Sequence, residues 1–116
     1  MEIILPCEKT SFVFFKRTHH VRVFVRGTEI VAESNDRTLA EGARAFVAKL
    51  VADGRVTLEE HRRGEAAGRK FHYATTVAMG ATHPRFLECL HRVLLEMPDA
   101  ELAGGTAKWQ TARLSR

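Results

Sequence analysis

The stretch Val56-Thr57-Leu58-Glu59-Glu60-His61, a polar loop, and Lys70-Phe71-His72-Tyr73-Ala74-Thr75-Thr76-Val77 decide how this chain is read. The first half sets Val56 and Leu58 at alternate positions, and the second sets Phe71, Tyr73, Thr75 and Val77. Between them Arg63-Gly64-Glu65-Ala66-Ala67-Gly68 holds two glycines, so the spacing predicts a β-hairpin with that segment as its loop. Setting Leu58 opposite Tyr73 turns Val56, Leu58, Phe71, Tyr73 and Val77 toward a core. The same register puts Thr57, Glu59, His61, Lys70, His72 and Ala74 on a polar face, with Glu59 opposite His72.

A helical pattern lies on each side. Upstream, Leu39, Ala43, Phe46, Val47, Leu50 and Val51 recur at helical spacing. Thr38 and Glu41 have the spacing of a capping box, and Asp53-Gly54 supplies the stop. Downstream, Thr82-His83-Pro84 has the form of a helix entrance, followed by the stripe Phe86, Leu87, Leu90, Val93, Leu94 and Met97, which Pro98-Asp99 ends.

The ends of the chain read as strands. Ile3-Ile4-Leu5 predicts a short edge strand stopped by Pro6, because proline lacks the amide that a central ladder needs. Ser11-Phe12-Val13-Phe14-Phe15 is apolar on both faces, Lys16-Arg17-Thr18-His19 reads as a turn, and Val21, Val23 and Val25 alternate with Arg22, Phe24 and Arg26. After Gly27, Glu29 to Glu33 returns as the second strand of a tight hairpin. At the other end Gly104-Gly105 forms a joint, and Thr106 to Arg113 predicts a last strand.

From Glu29 onward the order is therefore β-α-β-β-α-β. The expected architecture is a single α+β domain over residues 1–116, an antiparallel sheet with two helices on one face. Its core has ferredoxin-like βαββαβ order and is preceded by an N-terminal β-meander.

Composition narrows the function classes. Hydrophobic residues at 45% and charged residues at 28% are ordinary globular usage, which speaks against disorder. No apolar run approaches the ~20 residues of a membrane span. The opening Met1 to Pro6 lacks the basic-then-apolar form of a secretory leader. Two cysteines, Cys7 and Cys89, imply neither a disulfide framework nor a metal pair by spacing, and a reducing cytoplasm is the expected compartment.

No motif specifies a chemistry. Glu59, His61 and His72 share the polar face of the hairpin and are the candidates for a metal or acid/base site, yet none of the six histidines has a recognised ligand spacing. The serines lack a G-x-S-x-G elbow, and the glycines lack a nucleotide-binding spacing. No cofactor is implied.

Charge says more. The formal net charge is +4, and the basic groups are segregated along the chain. Lys16, Arg17, Arg22 and Arg26 cluster in the meander, Arg62, Arg63, Arg69 and Lys70 at the hairpin tip, and Lys108, Arg113 and Arg116 at the C-terminus, while from Thr28 to Glu60 seven acids stand against four bases. Phe12, Phe14 and Phe15 add an apolar edge that asks for cover.

The expected function is a small non-enzymatic binding or adaptor protein. It would use its sheet edge or face and the basic hairpin tip, with a protein partner or a second copy in a homodimer. The alternative is an RNA- or single-stranded-DNA-binding domain, in which arginines hold phosphates and Phe24 or Tyr73 stacks on bases. A small enzyme or metal protein built on Glu59, His61 and His72 comes third.

Overall fold

Alternation is strongest in the first thirty residues, and there it builds the sheet. The computed structural model describes residues 1–11, 15–97, 101–102, 107–109 and 111–116. Among these the order is β1 (Glu2–Ser11), β2 (Phe15–Arg26), β3 (Glu29–Glu33), α1 (Arg37–Ala52), β4 (Thr57–Ala66) and β5 (Arg69–Ala78). Then follow α2 (Phe86–Leu95), β6 (Glu101–Leu102), β7 (Ala107–Trp109) and β8 (Arg113–Ser115).

β1 and β2 pair from Ile3 opposite Val23 to Ser11 opposite Phe15, with Leu5 opposite Val21. Ile3, Leu5, Val21 and Val23 are buried, and Cys7 joins them from β1. Gly27, at φ +63°, makes the tight turn into β3, as its position predicts. The main sheet runs β3-β2-β1-β7-β6, and β8 also pairs with β1.

Two expectations at the N-terminus are corrected. Ile3 to Leu5 is no short edge strand ended by Pro6, since β1 runs through the proline and lies inside the sheet. Pro6 is accommodated at a break. On one side of β1, Glu2 to Ile4 pair with β8 and Cys7 to Lys9 with β7, so the proline sits between the two ladders. The inward set of the C-terminal strands changes there from odd positions (Ala107, Trp109) to even (Ala112 buried, Leu114 half-buried), the parity switch of one extra residue.

The turn expected at Lys16 to His19 is likewise strand, paired from Lys16 opposite Thr10 to His19 opposite Cys7. Phe12 and Phe14, Pro98-Asp99 and Gly104-Gly105 lie outside the described residues, as do the side chains of Phe15 and Lys16.

Both helices cover one face of the sheet. Leu39, Ala43, Val47 and Leu50 of α1 and Phe86, Leu87, Cys89, Leu90 and Leu94 of α2 enter one core with Ile3, Leu5, Val21, Val23 and Trp109. Phe46 meets the Trp109 ring edge-on at 4.8 Å. α1 starts differently from the expected capping box. Asp36 is the cap, its Oδ1 accepting from the Leu39 amide at 3.1 Å, while Glu41 pairs with Arg37 at 3.0 Å. The Asp36 carboxylate also takes Lys9 Nζ at 2.8 Å, tying β1 to the helix entrance. His91 Nε2 lies 3.0 Å from the Ala112 carbonyl, which can only accept, so this nitrogen carries the proton and fastens α2 to the C-terminal segment.

The structure is α+β with two helices and antiparallel sheets, but the ferredoxin-like βαββαβ order does not hold. β4 and β5 form a separate two-stranded sheet. The N-terminal meander supplies the sheet, and β7 and β8 occupy the flank of β1 that a central hairpin would need. The hairpin face also carries Glu60 and Arg62 among its apolar residues, and burying those charges against helices would be costly. Val56 and Met79, at the base, are buried, and the Met79 amide donates to the Val56 carbonyl at 2.8 Å. Beyond them the hairpin projects. At ~3.4 Å per residue a ten-residue strand spans about 34 Å. That is half of the long axis of the molecule, 69 Å. The radius of gyration is 17.5 Å. A compact chain of this length has a radius of about 13 Å.

Candidate functional site

The arm is set up by its turn. Ala66 pairs with Arg69, leaving only Ala67 (φ +51°) and Gly68 (φ +74°) as the loop. Two consecutive positive φ values are the twist that a right-handed β-ribbon requires of a two-residue turn. This corrects the six-residue loop and sets the register. Leu58 stands opposite Val77, Arg62 opposite Tyr73 and Gly64 opposite Phe71. The shift from the expected pairing is even, so the division into two faces survives although each partner changes.

One face is apolar at its base and aromatic toward its end. Val56 is core and Leu58 packs against it, as expected, but for Phe71, Tyr73 and Val77 the expectation is corrected, because they are 42%, 44% and 42% exposed. Gly64 explains how Phe71 lies flat. The ring sits on the glycine, where an added Cβ would overlap Cζ and come within 2.6 Å of Cε2. Tyr73 stacks on Phe71 with centroids 5.7 Å apart and planes 19° from parallel, an arrangement that aromatic pairs favour. Two stacked rings thus form a plate on an open ribbon, beside Arg62, which pairs with Glu60 at 3.6 Å.

The opposite face holds Glu59, His61, Arg63, Glu65, Lys70 and His72. His61 Nε2 lies 3.6 Å from Glu59 Oε1, both exposed. His72 stands opposite Arg63 rather than Glu59, so the expected Glu59–His72 pairing is corrected. Among the described residues no group of three or more His, Cys, Asp or Glu could hold a metal. A shallow groove of about 440 Å³ at the far end is lined by Arg63, Gly64, Glu65, Lys70, Phe71 and His72.

The four basic residues of the tip, Arg62, Arg63, Arg69 and Lys70, are all exposed on the arm. Those of the meander lie on β2 in the other sheet. Arg22 and Arg26 bracket the Phe24 ring at 5.8 and 5.5 Å, Arg22 pairs with Glu2 at 2.6 Å, and both approach Glu33. The Glu2 hydrogen bond raises the Arg22 pKa further still. Arg17 is exposed opposite Lys9, and the Lys16 side chain is outside the described residues. The two basic clusters are therefore held by different sheets, and in the meander acids already answer Arg22 and Arg26.

A wider cleft of about 700 Å³ lies where β2 outruns β3, bounded by His19, His20, Arg22, Asn35 and Arg37. Several of its polar groups are engaged, His19 Nδ1 with Asn35 Oδ1 at 2.8 Å, Arg22 with Glu2 and Arg37 with Glu41. The cysteines supply no nucleophile. Burial pushes the Cys7 thiol up to about 11, and Cys89 is buried too.

Sequence reasoning missed Gly64 and the exposure of Phe71 and Tyr73. A signal was present, since Glu60 and Arg62 share the parity of Leu58 and make that face a poor core. Among the described residues no helix is long and apolar enough to cross a membrane. Comparisons with protein-family models, with curated proteins and with solved structures give no match for this chain.

Proposed function

We propose that this chain is a binding protein whose working part is the β4–β5 arm, with a protein covering the Phe71–Tyr73 side. The observation that carries the reading is the plate itself, two stacked rings held flat by Gly64 and left 42% and 44% exposed on a two-stranded ribbon. A ribbon of two strands is marginal alone in water, and a third layer or strand stabilises it. Glu59, Glu60 and Glu65 are interleaved with the arm's bases, which suits a protein surface better than a polyanion. Two buried, unpaired cysteines fit a reducing cytoplasm as the place of action.

Affinity capture tests the reading. The wild-type chain should retain discrete proteins that a Phe71→Ser/Tyr73→Ser variant loses, while both unfold at the same temperature because neither ring is in the core. An unchanged set of bound proteins would put the working surface elsewhere.

A second reading, single-stranded nucleic acid, is favoured by one observation. Among the described residues Arg63, Arg69 and Lys70 make no ion pair, and they lie beside the exposed rings. It predicts salt-sensitive binding whose salt slope falls on Arg62→Ala with Arg69→Ala. Absence of binding at low salt ends it.

A further inference from the structure

The outer edge of β4 carries Glu59-Glu60-His61-Arg62-Arg63, a run whose charge reverses about His61. Among the described residues β4 pairs with β5 alone, so its other side presents backbone groups that no described strand pairs, along an exposed strand. Most of its length is solvent-exposed, with Glu59, His61, Arg62 and Arg63 all in that class.

We propose that two copies of this chain pair through β4, antiparallel, about a two-fold axis at His61. This rests on the reading of the arm as a protein-binding element and adds a second copy at its β4 edge, which leaves the aromatic plate free for the protein that covers it. In that register Glu59 stands opposite Arg63 of the second copy on one face, and Glu60 opposite Arg62 of the second copy on the other. The two-fold repeats both contacts, giving four ion pairs, and His61 meets only its own counterpart. The existing Glu60–Arg62 contact along the strand becomes one side of a square of alternating charges. Sliding the register by one residue keeps only two of the four ion pairs, and in one direction leaves Arg63 opposite Leu58 and Glu60 against His61, so charge favours the alignment about His61. β5 has no acid and offers no such code. The product is a four-stranded sheet, β5-β4-β4-β5, in which each ribbon gains the neighbour it lacks and the two bodies lie at opposite ends.

Sedimentation of the full chain over a concentration series tests the proposal. The wild type associates to dimer. A Glu59→Arg/Glu60→Arg variant and an Arg62→Glu/Arg63→Glu variant each dimerise about a hundredfold more weakly, because every cross-strand pair turns from attraction to repulsion. Mixed one to one, they restore a dimer of one copy of each. Variants that self-associate like the wild type, or a mixture that stays monomeric, overturn the proposal. Should a variant fail to fold, hydrogen exchange of the wild type decides, since β4 amides become protected as concentration rises and unchanged exchange refutes pairing. A monomeric wild type refutes the second copy as partner, yet loss of captured proteins on Phe71→Ser/Tyr73→Ser would still uphold the arm.

Discussion

Replacing Gly64 by alanine has opposite effects depending on whether Phe71 is present. In a strand interior, alanine is normally favoured over glycine by about 0.5–1 kcal/mol, because glycine loses more backbone freedom on folding. At position 64 the new Cβ would occupy the space of the Phe71 ring, within 2.6 and 2.8 Å of Cε2 and Cε1. The ring is exposed and can swing outward, so the penalty is the loss of its seat on the glycine and of its stack on Tyr73. A stacked aromatic pair contributes roughly 0.5 to about 1.5 kcal/mol beyond its buried area. The two contributions nearly cancel in the wild-type background, and alanine is neutral to mildly destabilising. In a Phe71→Ala background the penalty vanishes and Gly64→Ala stabilises the arm. The cycle therefore yields a coupling of about 1 kcal/mol, a factor of about 5 in equilibrium constant. Native-state hydrogen exchange of the β4 and β5 amides is the assay, because global unfolding reports the core and not the arm. Equal stabilisation in both backgrounds would show that Phe71 does not rest on Gly64.

The turn, the helix cap and the buried thiol give three more tests. Ala67 is held at φ +51°. Ala67→Gly should therefore stabilise the arm by about 1 kcal/mol, read as slower exchange in β4 and β5 with the main sheet unaffected. Asp36 both caps α1 and pairs with Lys9. Its replacement by alanine should cost roughly 1 to about 2 kcal/mol in denaturant unfolding, from the two losses together. The Lys9 hydrogen bond and the Leu39 amide hold the Asp36 carboxyl below its ordinary 3.8. The unfolded chain thus binds the proton first. The stabilisation is present at neutral pH and is lost as pH falls through the carboxyl range toward the depressed folded value, a loss that Asp36→Ala should abolish. Cys7, with its thiol at about 11, should resist thiol reagents in mildly alkaline buffer in the native protein and react on unfolding; rapid native labelling would contradict its burial.

What could be read from the sequence was local. The stripe from Leu39 to Val51 and its Asp53-Gly54 stop give α1, and the stripe from Phe86 to Leu94 gives α2, because helical periodicity is carried by neighbours in sequence. The Gly27 hairpin was legible for the same reason. The cap shifted from Thr38 to Asp36 because a carboxylate three residues before Leu39 reaches the same amide and also attracts Lys9, a partner 27 residues away. Which strands share a sheet was not legible, since pairing of β1 with β7 and β8 joins the two ends of the chain. For the arm, parity correctly separated Leu58, Phe71, Tyr73 and Val77 from Glu59, His61 and His72. Whether that first set was buried depended on the meander having already filled the sheet. The two-residue turn was hidden because alanine rarely takes positive φ, and Ala67 does so here.

The arm as the binding surface is tested most directly by site-specific photocrosslinking in cells. A photoreactive phenylalanine analogue would replace Tyr73 on the aromatic plate or, as control, Phe24 on the outer face of the main sheet. The account predicts discrete protein adducts from position 73 and none from position 24. Adducts from position 24 alone, or adducts from position 73 to nucleic acid without any to protein, would contradict it.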